Sequence, residues 1–169
     1  VRDLSESLKY CGTGATQFGL SLEQTLGVLG QLGNLNLKGS QAGTAIQSMF
    51  SALMNKEKAK LLTSIDVQLT ANGSYRNIID IIEDIKEKTK NMAPAQQQSF
   101  ISQVFGEQGG QAINRLLQVP REELQAMIGE IKNSEGFAKQ MAETLNGGLG
   151  GALRNMKSAT EGVAIALGE

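Results

Sequence analysis

Apolar residues recur along this chain every three or four positions, with one interruption, and that rhythm predicts a bundle of helices. Leu4, Leu8, Cys11, Ala15 and Phe18 are spaced by four and three, which places them on one face of a first helix. Leu22, Leu26, Leu29 and Leu32 repeat the pattern in a second. Ser21 stands just ahead of it, with Gln24 three residues on, so each side chain can bond the other's amide as a capping box. Gly33 and Asn34 can end this helix, because both tolerate left-handed backbone. A third helix is predicted over about 39–54, with Ile46, Met49, Phe50 and Leu53 on one side, followed by a short helical turn over about 56–63.

Residues 65–75 break the rhythm. Ile65, Val67 and Leu69 alternate with Asp66, Gln68 and Thr70, and Asn72-Gly73 follows. Alternation ending in Asn-Gly is a hairpin signal. Only one side is strand-like, so the pattern predicts at most a short β-ribbon. Helices then resume. Ile78, Ile81, Ile82 and Ile85 form a stripe opposite a charged face, where Asp84 and Lys88 have the spacing of an i,i+4 pair. Pro94 suits the first position of the next helix, where no amide hydrogen is needed. That helix carries Phe100, Ile101, Val104 and Phe105, and a further stripe runs through Ala112, Ile113, Leu116 and Leu117. Pro120 opens a helix with Leu124, Met127, Ile128 and Ile131, and Asn133-Ser134 reads as a cap for the next.

The last predicted helix is the longest. Its apolar positions run from Phe137 through Met141, Leu145, Leu149, Leu153, Met156 and Val163 to Leu167. Their period is about 3.75 residues per turn, too long for a left-handed two-stranded zipper. The stripe passes through Gly147, Gly148, Gly150 and Gly151, each costing a helix interior about 1 kcal/mol against Ala. Either the helix breaks at Gly147–Gly151 or close packing compensates. The fold class is therefore mainly α: a multi-helix globular bundle with at most one short β-ribbon near residues 65–75. The expected organisation is one helical domain over residues 1–169, an excised piece of a longer protein.

Composition removes most chemistry. There is no histidine among 169 residues, which excludes Ser-His-Asp and Cys-His catalysis and the commonest metal ligand. The single cysteine, Cys11, lies in a core stripe and reads as a buried structural thiol; alone it makes no internal disulfide and no cysteine-based zinc site. Net charge is −1, so no field of one sign calls for a nucleic acid. Lys56, Lys58 and Lys60 are interrupted by Glu57 and read as a solvated face. Glu107, Glu122 and Glu123 are the carboxylates to weigh for wall-cutting chemistry, but no aromatic sugar-binding cleft accompanies them. Gly106-x-x-Gly109-Gly110 lacks the strand and Lys-Ser/Thr pair of a phosphate loop. Arg154 and Lys157 spoil Gly147-x-x-x-Gly151 as a membrane motif. The sequence assigns no catalytic, cofactor-binding or metal residue.

What remains is one distinctive string. Leu37-Lys38-Gly39-Ser40-Gln41-Ala42-Gly43-Thr44-Ala45-Ile46 follows Gly19-Leu20-Ser21-Leu22-Glu23 by about a helix length. Gly39, Ala42, Gly43 and Ala45 leave one side of the third helix nearly bare, so another backbone can approach. Val67 to Gly73, Ile78-Ile79-Asp80-Ile81, Val104-Phe105-Gly106, Gly109-Gly110-x-Ala112 and Leu153-x-x-Met156-Lys157-Ser158-Ala159 extend the pattern. Together these segments resemble the tape-measure proteins of tailed bacteriophages, also described as phage-related minor tail proteins. Asn36 departs from the Gly usual there, and Asn is the next best residue for a left-handed turn.

The resemblance implies a structural role without cofactors, in a mostly helical protein inside the tail tube. Such proteins set tail length, act in tail assembly and leave during DNA ejection. It implies as partners the protein itself, tail tube and tail-tip or baseplate proteins, and assembly chaperones. It implies no specific nucleic acid, contact with a host membrane only during ejection, and a stay in the host cytoplasm during assembly. A cell-wall hydrolase or membrane-active module of a tail protein is the alternative. The packing motif consists of Gly39, Ser40, Gln41, Ala42, Gly43 and Thr44, with Gly106, Gly109 and Gly110. Gly39, Ala42 and Gly43 are expected to meet another helix, with the glycine-interrupted last helix as the candidate.

Overall fold

In the computed structural model, which describes residues 2–134, the stripes between Leu4 and Ile131 become helices. They are α1 (Arg2–Phe18), α2 (Leu22–Asn34), α3 (Gly39–Met54), α4 (Lys56–Ser64), α5 (Ile78–Thr89), α6 (Pro94–Leu116) and α7 (Arg121–Asn133). Between α4 and α5 lies an antiparallel ribbon of β1 (Thr70–Ala71) and β2 (Ser74–Tyr75). The register pairs Thr70 with Tyr75 and Ala71 with Ser74, leaving Asn72-Gly73 as the two-residue turn. Both turn residues have positive φ, 53° and 80°, as a type I′ hairpin requires. The ribbon stays short because the chain beyond Tyr75 turns into α5 instead of continuing an alternating pattern. The long C-terminal helix and its break at Gly147–Gly151 lie outside the described residues. Ser134, expected as a cap for that helix, closes α7 on its C-terminal side.

Three helices end in the same device. After α1, the Gly19 amide donates to the Thr16 carbonyl and the Leu20 amide to the Ala15 carbonyl. After α2, Asn36 donates to Gly33 and Leu37 to Leu32; after α4, Asp66 donates to Thr63 and Val67 to Leu62. These are Schellman motifs, with Gly19, Asn36 and Asp66 in the left-handed position at φ of 89°, 63° and 66°. In each, the apolar residue after the turn packs back towards the last turn: Leu20, Leu37 and Val67 are buried, as are Ala15, Leu32 and Leu62. The helix ends at Asn34, as the sequence leads one to expect, but the left-handed turn lies two residues later. Gly33 and Asn34 keep helical backbone and Asn36 makes the turn, because Leu37 is the apolar residue that closes over Leu32. The Ser21–Gln24 capping box at the start of α2 forms as expected, with bonds of 3.1 and 2.9 Å.

Helix α6 is two helices joined at one residue. Gly106 has φ 71° and ψ −172°, a conformation essentially confined to glycine. The Asn114 side-chain amide donates to the Gln98 side-chain oxygen at 3.3 Å. In an unbroken helix those positions would stand about 24 Å apart. The chain therefore doubles back at Gly106. The two stripes, Ile101-Val104-Phe105 and Ala112-Ile113-Leu116, are both buried against a common core; Phe100 is only half-buried at its edge.

Phe18, at the end of α1, ties the ribbon to that core. Its ring lies 5.2 Å from that of Phe50 on α3 and stacks on Tyr75 of β2 at 4.5 Å. The expected Asp84–Lys88 pair within α5 is replaced by links to the preceding segment. Lys88 binds Asp66 at 2.8 Å, and Arg76 binds Asp84 at 2.6 Å while also donating to the Gln68 carbonyl. The Schellman turn brings Asp66 within reach of Lys88, and the chain leaving β2 brings Arg76 to Asp84. Arg121 at the start of α7 similarly reaches Asp80 of α5.

Candidate functional site

The distinctive string opens α3. Asn36 turns the chain, Leu37 plugs the core, and Lys38 stands at the N-cap without a side-chain bond. Gly39 follows at φ 56°, a left-handed value that favours glycine. The Ser7 hydroxyl of α1 lies 2.7 Å from the Gly39 carbonyl and 2.7 Å from its own Asp3 carbonyl, so its one hydrogen is shared between them. One turn further, a Cβ added to Gly43 would fall 2.8 Å from Tyr10 Cβ and 2.9 Å from the Ser7 carbonyl carbon, and closer still to the Ser7 oxygen. Ordinary contacts between carbon atoms lie near 3.5–4.0 Å. Here α1 and α3 touch backbone to backbone.

The bare face of α3 is thus filled, and by α1. Ala42, Ala45 and Ile46 are buried in the same contact zone as Gly39 and Gly43. The last helix, named from the sequence as the candidate partner, falls outside the described residues. A signal for α1 was present in the sequence: Ser7, Cys11 and Gly14 are small residues one helical turn apart, on the side that meets α3. Over Gly14 lies the end of the Gln47 side chain and not backbone, and α2 meets α7 where Gly27 lies 3.3 Å from the Ile128 backbone, measured from an added Cβ.

The opposite side of α3 meets the second motif segment. Gly109 lets the second half of α6 approach α3 so closely that an added Cβ would sit 3.2 Å from the Met49 nitrogen and 3.3 Å from the Ser48 carbonyl carbon. Gly110 faces Ile101 of the first half of α6, and Gly106 makes the turn between the halves. Gly109 thus sits on α3's backbone, Gly110 on α6's own first half, and α3 lies between α1 and α6. Ser40, Gln41 and Thr44 remain on the outside. With Ala45, Gln108 and Gln111 they line an open groove of about 270 Å³. The Ser48 hydroxyl of α3 donates to the oxygen of Gln108, one of the lining residues, at 3.4 Å.

The surroundings are uncharged. Helix α3 contains no Asp, Glu, Lys or Arg, and α6 contains only Glu107 and Arg115. Cys11 lies fully buried beneath α3, and burial pushes its thiol pKa up to about 12, so it stays a protonated packing group. Glu107, Glu122 and Glu123 are exposed, and Glu123 accepts a bond from Gln31. Lys60 pairs with Glu57 in water, as a solvated face predicts. Among the described residues there is no group of three or more potential metal ligands, and no helix is long and apolar enough to cross a membrane.

The architecture is that of a helical packing domain in which Gly43 and Gly109 serve close backbone contacts. Comparison with known proteins gives the family: the chain belongs to the phage-related minor tail proteins, whose family profile matches residues 1–106. That match ends at the residue where α6 folds back. The tape measure protein of Pneumococcus phage Dp-1 is 30% identical over 166 residues, covering 96% of this chain and 14% of that protein. The probable tape measure protein of Escherichia phage P2 is 26% identical over 171 aligned residues, covering 97% of this chain and 21% of its own length. The chain thus spans less than a quarter of the length of these relatives. No solved structure matches.

Proposed function

We propose that this chain is one helical domain of a tape measure protein, a structural part of a bacteriophage tail. The observation that carries this reading is the near end-to-end alignment of the chain with a short stretch of two such proteins. The use of its motif residues for helix contacts, and the lack of histidine, favour a non-enzymatic role. In this reading the measuring rod belongs to the rest of the longer protein, and this domain holds it to other tail components inside the tube. Tube subunits, tail-tip or baseplate proteins, assembly chaperones and further copies of the chain are its partners. The uncharged groove along Ser40, Gln41 and Thr44 is the surface that the packing of α3 leaves open to them.

The test is genetic. Duplicating part of the rod outside residues 1–169 should lengthen tails in electron micrographs in proportion to the residues added. A bulky Gly43→Leu change inside the domain should lower the yield of complete tails without altering their length. Tails of unchanged length after the duplication would refute the reading.

A further inference from the structure

An open groove of about 310 Å³ lies where α1, α2 and α7 come together beside the start of α3. Leu29 of α2 is its buried floor, and Leu4 of α1 and Met127 of α7 are half-buried on its walls. Gly30 and Gly33 leave the α2 side bare. A Cβ added at Gly30 has the Met127 side chain as its nearest neighbour, at 3.5 Å, and one added at Gly33 meets nothing within 4 Å. An apolar centre inside a polar rim is the pattern of an interface. The groove shares no lining residue with the one along Ser40, Gln41 and Thr44.

We infer that this groove is the seat of residues 137–145 of the same chain, with Met141 and Leu145 over Gly30 and Gly33. Those residues lie outside the described part, and their sequence carries the argument. Phe137, Met141 and Leu145 are spaced by four, ahead of the glycines that begin at Gly147, and Lys139 and Glu143 fall on the opposite side of the same helical wheel. A stripe of that kind needs an apolar surface to cover. Helix α7 ends at Ser134, whose ψ of 92° takes the chain out of the helix. It runs antiparallel to α2, since Gly27 meets Ile128 whereas Gln31 meets Glu123. A segment that doubles back along α7 after a connection of two or three residues therefore runs parallel to α2, over the groove. Met127 lies seven residues before Ser134 and Met141 seven after it, so each stands about 10 Å from the turn. Leu145 is one turn beyond Met141, as Gly33 is one turn beyond Gly30. The inference does not rest on the tail-length reading, and either can fail without the other.

The test uses the whole 169-residue chain. Met127→Cys combined with Met141→Cys is treated with a short bismaleimide and read by mass spectrometry. Cys11, buried and protonated, stays out of the reaction. The expected product is a single chain carrying one linker joined at both ends, in severalfold higher yield than from Met127→Cys with Glu143→Cys, where the second thiol is on the opposite face. Melting provides a second, independent readout. Met141→Asp should lower the melting temperature by roughly 4–8 °C, because the groove loses a buried side chain. Glu143→Gln should leave it within about 2 °C. Equal cross-linking at positions 141 and 143 overturns the inference, and so does a Met141→Asp variant as stable as Glu143→Gln. A product made of two linked chains overturns it too, since the groove then belongs to a second copy.

Discussion

Replacing Gly43 by alanine adds a single methyl group, and the structure gives its cost. The new carbon would sit 2.8 Å from Tyr10 Cβ and 2.9 Å from the Ser7 carbonyl carbon, where about 3.5 Å or more is needed. The obstacle is backbone, which cannot rotate away, so α1 and α3 must separate by something near 1 Å. Overpacking of this kind costs about 1–3 kcal/mol, and a backbone obstacle puts Gly43 at the upper end. Separation also strains the buried Ser7–Gly39 hydrogen bond, which contributes about 1 kcal/mol. The helix propensity of alanine returns about 1 kcal/mol. The net loss is therefore about 3 kcal/mol. At about 2–4 °C per kcal/mol for a chain of this size, the melting temperature should fall by roughly 6–12 °C. Gly12, in α1 with nothing within 4 Å of its added Cβ, is the control. There the same substitution keeps only the propensity gain and should raise the melting temperature by about 2–4 °C. Circular-dichroism melts of the two variants make the comparison. If Gly43→Ala melts at or above the wild-type temperature, the claim of backbone contact between α1 and α3 is wrong.

Other expectations follow from the same structure. Gly106→Ala should destabilise by about 1–3 kcal/mol in urea unfolding although no atom lies within 4 Å of the added carbon, because its backbone angles exclude L-residues. Asn36→Gly should be neutral or stabilising and Asn36→Val should cost about 1–2 kcal/mol, since only the latter clashes at φ 63°. Cys11 should react with a thiol reagent only on unfolding. Its raised pKa means that stability is intact at neutral pH and falls as pH climbs from about 9 towards about 12, a fall that Cys11→Ala should remove. The hydrogen bond and charge of Lys88 hold the Asp66 carboxyl below its ordinary range. The stability it adds is present above that range and lost as pH falls through the lowered value, so Asp66→Asn should flatten the acid limb of a pH–stability curve.

Much of this molecule was written in its periodicities. The stripes of α1, α2, α3, α5 and α7 are local, since a helix face depends on residues three and four apart. The capping box at Ser21, the Asn72-Gly73 turn and the proline at the start of α6 are likewise properties of a few neighbouring residues. So is the thiol's inert character, which comes from Cys11 lying in an apolar stripe. Long-range matters read differently. A bare face at Gly39, Ala42 and Gly43 announces that some backbone approaches, but not that it is α1, because glycine's missing side chain carries no mark of its partner. The pairing of Lys88 with Asp66 instead of Asp84 depends on where the turn after α4 returns the chain. The doubling back at Gly106, which brings Gln98 to Asn114 and sets Gly109 on α3, depends on two helix halves finding more buried area against a shared core than one straight helix would. Local rules choose the helices; the choice of which surfaces meet is made by the packing of all of them at once.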